Sequence, residues 1–110
     1  DTGQCVVVRK KTILALEAIE GTNATILRGG TLAGEKAVVV KTSKPHQDLR
    51  FDVPAVGLGT IEAMVKVKGS VLAVEAERTL IFDKARTVSE ADLHKISIVS
   101  IKNARNNPEP

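Results

Sequence analysis

Ala37-Val38-Val39-Val40-Lys41-Thr42, running straight into Ser43-Lys44-Pro45-His46-Gln47-Asp48-Leu49-Arg50-Phe51-Asp52-Val53-Pro54, is the most informative stretch of the chain. Three consecutive β-branched residues in the most apolar run of the sequence predict a strand buried on both faces. In open α/β sheets, ligands sit just beyond the carboxyl ends of strands. The segment that occupies this place carries three cations, Lys41, Lys44 and Arg50, and two carboxylates, Asp48 and Asp52. Its second half alternates, with Leu49, Phe51 and Val53 apolar and Asp48, Arg50 and Asp52 charged. An extended chain repeats every two residues, so the apolar trio can anchor while the charged trio faces a shared space. Pro45 and Pro54 stiffen the segment and bias the residues before them away from helix. The plain alternative is a solvated loop without chemistry.

Outward from this stretch, strands and short helices alternate. Residues 4–9 and 12–18 read as a hairpin about Lys10-Lys11. Glu20-Gly21-Thr22-Asn23 breaks the second strand and offers a helix N-cap. A short helix over 24–27 is predicted, ended by Arg28-Gly29-Gly30 as a glycine C-cap. Gly57-Leu58-Gly59-Thr60 leads into a helix to about Lys66, with Ile61, Met64 and Val65 facing the core. Residues 70–75 and 79–82 read as a second strand pair. Thr87-Val88-Ser89-Glu90 has the form of a capping box for a helix to about Lys95. Residues 97–101 read as a last strand, and the polar remainder as a disordered tail. Ile13-Leu14-Ala15-Leu16-Glu17-Ala18 echoes Val71-Leu72-Ala73-Val74-Glu75-Ala76, as two strands packed alike would. The fold class expected is a single α/β domain, with a mixed sheet of about five to six strands and three short helices.

Composition narrows the function. One domain of 110 residues at 43% hydrophobic can build a core. The chain opens on Asp1-Thr2-Gly3 without methionine or a signal-peptide pattern, as a piece lacking an N-terminal partner would. No window approaches 18 consecutive apolar residues, so no transmembrane helix is expected. Sixteen bases against thirteen acids give a net charge of +3 spread along the chain, and the aromatics are two Phe with no Tyr or Trp. Nucleic-acid binders usually join a basic stripe to stacking aromatics, so no nucleic-acid partner is expected. The lone Cys5 lies before three valines and reads as a small buried apolar residue. His46 and His94 have no i,i+4 or cysteine partner, which argues against zinc.

Three short motifs fail on context. Asp1-Thr2-Gly3 matches the aspartic protease triplet but begins the chain, with no preceding strand and no flap. Gly29-Gly30-Thr31-Leu32-Ala33-Gly34-Glu35-Lys36 approximates a P-loop, yet Glu35 intrudes, no Ser or Thr follows Lys36, and a strand comes next. Asn23-Ala24-Thr25 is a glycosylation sequon by pattern alone.

The loop suits phosphate chemistry. Lys41, Lys44 and Arg50 match a phosphate or diphosphate, Arg through its fork and Lys as a compact charge. Helix starts at Gly21-Thr22 and Gly59-Thr60 can add backbone N–H donors. Asp48 and Asp52 can bind Mg²⁺, whose shell is completed by water and substrate phosphates. Extended, residues 48–52 span roughly 13 Å, too far for both carboxylates to hold one ion. One is then the ligand or base and the other orients Arg50 or a second ion; the residues leave the choice open.

At these residues the chain resembles the LpxI-type UDP-2,3-diacylglucosamine pyrophosphatases of lipid A biosynthesis. The matching pieces are Asp1-Thr2-Gly3-Gln4-Cys5-Val6-Val7-Val8, Ala18-Ile19-Glu20-Gly21-Thr22, Arg28-Gly29-Gly30, Val38-Val39-Val40-Lys41, Lys44-Pro45 and Thr60-Ile61-Glu62. The longest is Gln47-Asp48-Leu49-Arg50-Phe51-Asp52-Val53-Pro54-Ala55-Val56-Gly57. They run in order over residues 1 to about 101 and cover only that family's C-terminal domain. The resemblance implies a Mg²⁺-dependent hydrolase of Gram-negative bacteria. It would cleave the diphosphate of a UDP-linked diacyl sugar lipid to UMP and lipid X, with water attacking the phosphorus on the sugar side. It further implies a cytoplasmic enzyme peripheral to the inner membrane, completed by an N-terminal domain of the same chain and expected as a homo-oligomer. Carried over residue by residue, Asp52 is the essential carboxylate and metal ligand, with Asp48 second. Lys44, Gln47 and Arg50, with Lys41 and Thr22 beside them, would bind phosphate. Thr2, Gly3 and Gln4 would line the site near the other domain. Two other readings compete: an oligomerisation or phosphate-ligand-binding module with no hydrolysis of its own, and a small basic binding protein.

Overall fold

The computed structural model describes residues 4–43 and 54–102. Strand β1 (Gln4–Arg9) turns back through Lys10 and Lys11, both with left-handed φ (52° and 67°), into β2 (Thr12–Leu16). That is the primed turn whose twist matches a tight hairpin. Helix α1 (Thr22–Ala33) follows, then β3 (Val38–Thr42), β4 (Ala55–Val56), α2 (Leu58–Lys66) and β5 (Val71–Glu75). The chain continues through β6 (Leu80–Ile81), α3 (Lys84–Leu93) and β7 (Ser97–Ile101). Five strands form one mixed sheet in the order β2-β1-β3-β5-β7, with β1 antiparallel to both neighbours and β3, β5 and β7 mutually parallel. The fold class and the hairpin agree with the sequence reading.

Helix α1 packs on β1 and β2, α2 against α1, and α3 against α2 and β7. Cys5, Val7, Val39, Leu72 and Val74 pack in one core cluster with Ile26, Ile61, Met64, Ala91 and Ile96. The opposite side of the sheet carries Val6, Val8, Val38 and Val40, only partly buried, and the exposed Leu16 and Val99. The valine run of β3 is therefore buried on one face and half-buried on the other, unlike the two-sided strand expected.

Four further details depart from the sequence reading. Helix α1 does not stop at Gly29-Gly30 but runs through them to Gly34, whose φ of 82° closes the last turn by donating to Gly30 O and Thr31 O. The glycines are there for packing. A Cβ on Gly29 would lie 2.5 Å from Val7 Cβ, and one on Gly30 2.3 Å from Val67 Cγ2. Gly30→Ala should therefore destabilise the domain by about 1–2 kcal/mol in urea unfolding, because the clash outweighs the gain in helix propensity. A rise in stability would contradict this packing.

Residues 70–75 and 79–82 do not pair. β5 is flanked on both edges by parallel neighbours, so β6 forms a separate parallel ladder with β4. Helix α3 begins at Lys84, one turn before the expected capping box. Thr87 lies inside it, donating its Oγ1 proton to Phe82 O at 2.8 Å instead of capping. The echoing segments are not packed alike, since β2 is an edge strand and β5 lies inside the sheet. The tail expected to be disordered lies, from residue 103, outside the described residues.

Candidate active site

The carboxyl end of β3 is where buried charge gathers. Lys41 is 1% exposed on the helix-covered face, its ammonium donating to Thr22 Oγ1. Thr22 in turn donates to Glu17 Oε1 at 3.3 Å, and Glu17 lies 3.9 Å from Lys41 Nζ. Glu17 is buried too, just past the end of β2, where its N–H donates to Cys5 O at 2.9 Å. A buried ammonium and a buried carboxylate are tolerable together because each offsets the other's lost hydration. The relay joins β2, the first residue of α1 and β3.

Two residues on, Ser43 is held from the opposite side. Its N–H and its hydroxyl both donate to Oε1 of Glu75, at 2.8 and 3.1 Å. Glu75 is the buried last residue of β5, and its Oε2 lies 3.7 Å from Arg78 Nε.

Beyond these strand ends, the amino ends of α1 and α2 meet at a cleft of about 380 Å³ lined by Glu20, Gly21, Thr22, Asn23, Ala55 and Thr60, among others. Both helices are capped by glycine, Gly21 and Gly57, which bring no capping side chain, and at α2 the Gly57 N–H donates to Thr60 Oγ1 at 3.3 Å. Gly21 adopts φ 93°, a conformation other residues rarely take. Gly59 is close enough that an added Cβ would lie 3.6 Å from Asn23 Nδ2. Two helix dipoles and their terminal N–H donors so favour an anion in one small space. One side of the rim carries a surface ion pair. Arg28 grips Glu20 with two hydrogen bonds, 2.6 and 3.2 Å, and reaches Leu16 O, and this bonding holds the Glu20 carboxyl below its usual range.

Of the residues singled out in the sequence, Lys41 and Thr22 are brought together. Gln4, the first residue of β1, pairs with Thr42, so it sits beside the same strand end. Thr2, Gly3, Lys44, Gln47, Asp48, Arg50 and Asp52 lie outside the described residues. Cys5 is completely buried opposite Lys41, and burial pushes its thiol up to about 12, as suits an inert core residue. His94 is exposed at the end of α3, 3.7 Å from Glu90. Sequence reasoning missed Glu17 and Glu75. Each closes an apolar strand with a carboxylate, a pattern that signals a buried partner only when the sheet order is known.

The sequence model of the LpxI C-terminal domain matches residues 1–99. The chain belongs to that family. This LpxI C-terminal domain is 33% identical over 100 residues to the UDP-2,3-diacylglucosamine pyrophosphatase LpxI of Caulobacter vibrioides. The match covers 84% of the chain and 36% of that protein, so the domain spans about a third of its relative. Two solved structures of Acinetobacter baumannii RibD, forms 1 and 2, superpose with TM-scores of 0.56 and 0.55. Each covers 89% of this chain and 28% of RibD at 15% identity, a likeness of fold alone.

Proposed function

We propose that this LpxI domain carries the hydrolytic residues of a UDP-2,3-diacylglucosamine pyrophosphatase, which yields UMP and lipid X. The observation that supports it best is the meeting of two glycine-capped helix starts beyond the end of β3, where the segment bearing Asp48, Arg50 and Asp52 departs. Diphosphate hydrolysis needs negative charge neutralised on the leaving phosphate and a water aligned opposite it. The helix starts, the Thr22 N–H among them, are suited to hold phosphate oxygens, with Lys44, Gln47 and Arg50 supplying further donors. Asp52 is the carboxylate we assign to the water, with Asp48 as its second.

Magnesium is the ion proposed. Among the described residues no cluster of three metal-ligating side chains occurs, and the carboxylates nearest the cleft, Glu17 and Glu20, are each bonded to a cation or its relay. The ion would rest on Asp52, with Asp48 as the second choice, consistent with a metal that takes one or two carboxylates plus substrate phosphates. Bound there, it would neutralise diphosphate charge.

The partner domain expected N-terminal to this one would complete the cleft and receive the acyl chains. The enzyme would work as a homo-oligomer in the cytoplasm at the inner-membrane surface. No helix among the described residues is long and apolar enough to cross a membrane, so attachment through them would be peripheral. The test is UMP release from UDP-2,3-diacylglucosamine by the full-length enzyme, with and without chelator. Turnover that EDTA abolishes and Mg²⁺ restores is the expected result. Binding of the substrate without any UMP release would favour the ligand-binding module instead.

A further inference from the structure

One end of the sheet collects lysines. The first residues of the parallel strands lie in one row with the hairpin: Ile13 beside Val8, then Val38, Val71 and Ser97. Beyond that row lie the β1–β2 turn, the carboxyl ends of the three helices and the connections that follow them. Residues 9–12, 32–37, 66–70 and 92–96 carry seven cations against two acids, Glu35 and Asp92, in a chain whose total is +3. Lys10, Lys11, Lys36, Lys66, Lys68 and Lys95 are all exposed. The cleft is at the other end, past the carboxyl ends of the same strands. The backbone sets these lysines apart. Lys10, Lys11, Lys36, Lys68 and Lys95 adopt left-handed φ, between 52° and 67°. That conformation is disfavoured for residues with a Cβ, and glycine or asparagine would fill such turns with less strain. Strained lysines gathered at one end point to a use for their charge. Glu77 and Asp83, the other left-handed non-glycine residues described, lie at the opposite end. Apolar side chains stand among the lysines. Ile13, Leu32 and Leu93 are 67%, 64% and 71% exposed, near the start of β2 and in the last turns of α1 and α3.

We propose that this end docks on an anionic bilayer, its lysines at the lipid phosphates and Ile13, Leu32 and Leu93 at the boundary of headgroups and acyl chains. This gives a surface to the peripheral attachment in the reading above, and rests on that part of it. Lysine suits such a boundary, because its stem can lie along apolar surface while the ammonium stays wet. A nucleic acid fits less well. These turns hold no Phe, Tyr or Trp to stack a base, and their one arginine, Arg9, donates to Ala33 O at 2.7 Å. A soluble polyanion would also leave the three aliphatic side chains in water. Docked by this end, the domain holds its cleft away from the bilayer. That agrees with a partner domain that receives the acyl chains, the lipid being met after it has left the bilayer.

The test is co-sedimentation of the full-length protein with vesicles of phosphatidylcholine, alone or with about 30% phosphatidylglycerol, at about 0.15 M salt. Binding to the anionic vesicles should be at least about tenfold tighter. Glycine accepts left-handed φ, so Lys36→Gly, Lys68→Gly and Lys95→Gly together remove charge while keeping the turns. At about fivefold for each lysine, this triple variant should bind about a hundredfold more weakly, with no fall in melting temperature. Arginine at the same three positions should preserve binding. Leu32→Ala with Leu93→Ala should weaken binding by about tenfold, an effect that salt does not screen. Binding no tighter to anionic than to neutral vesicles overturns the proposal. So does a glycine triple variant that binds within about threefold of the unaltered protein. Vesicle binding untouched by the leucine changes, together with tighter binding to a short RNA duplex, would make the partner a soluble polyanion and overturn it as well. Turnover of detergent-dispersed substrate should be the same in the triple variant. Absence of turnover in the unaltered enzyme defeats the hydrolase reading alone, since vesicle binding is scored without it.

Discussion

Asp52→Ala in the full-length enzyme should lower kcat by about a hundredfold to a thousandfold, with thermal unfolding shifted by no more than a few degrees. The basis is chemical. A diphosphate carries its charge into the transition state, and cations or helix starts can neutralise the leaving side. They cannot accept a proton from water or hold a divalent ion, and a carboxylate can do either. Among the described residues, the acids beside the cleft are otherwise engaged, Glu17 with Lys41 and Thr22, Glu20 with Arg28. With those acids engaged, the proposal assigns the task to Asp52, with Asp48 as its second. Asp48→Ala should cost less, about tenfold, if its role is to orient Arg50. Equal losses in the two variants would mean that the pair acts as a unit. Full activity in both would remove residues 44–53 from the mechanism.

Lys41→Ala should be the most destabilising single change in this region. It strips the ammonium from a pocket in which the Glu17 side chain is 3% exposed, leaving a buried carboxylate with the Thr22 hydroxyl for company. Breaking a buried pair from one side costs about 3–5 kcal/mol, mostly the penalty of the stranded charge. In a domain of this size that corresponds to a fall in melting temperature of roughly 10–25 °C. Lys41→Met with Glu17→Leu should be milder, because it leaves no stranded Glu17 carboxylate. A Lys41→Ala loss below about 1 kcal/mol would contradict the buried pairing. The double variant, once folded, also shows whether the ammonium acts on phosphate: a stable domain that has lost phosphate affinity would say that it does.

What the sequence disclosed depended on how local the signal was. The Lys10-Lys11 hairpin, the β3 strand and the alternation of elements rest on periodicity within a few residues, and the fold class follows from them. Gly29-Gly30 misled because a glycine pair reads locally as a stop, whereas Val7 and Val67, distant in sequence, make it a close-packing face. Thr87 misled for a similar reason: its cap-like pattern lies one turn inside α3, and the helix begins at the left-handed Asp83. For the site, Lys41 and Thr22 could be named from residue type and place in the chain. Their link through Glu17 could not, since it joins positions 17, 22 and 41 only after the sheet has ordered itself. Glu75 was hidden for the same reason, as it meets Ser43 only through the β3–β5 pairing.

The most direct measurement is a ¹H–¹⁵N titration of the 110-residue domain with inorganic pyrophosphate in the presence of Mg²⁺. The amides of Gly21, Thr22 and Asn23 and those of Gly59 and Thr60 should shift together with a single dissociation constant. Shifts gathered instead along the groove between α2 and α3, at Glu62, Arg86 and His94, would place the anion elsewhere and contradict the account.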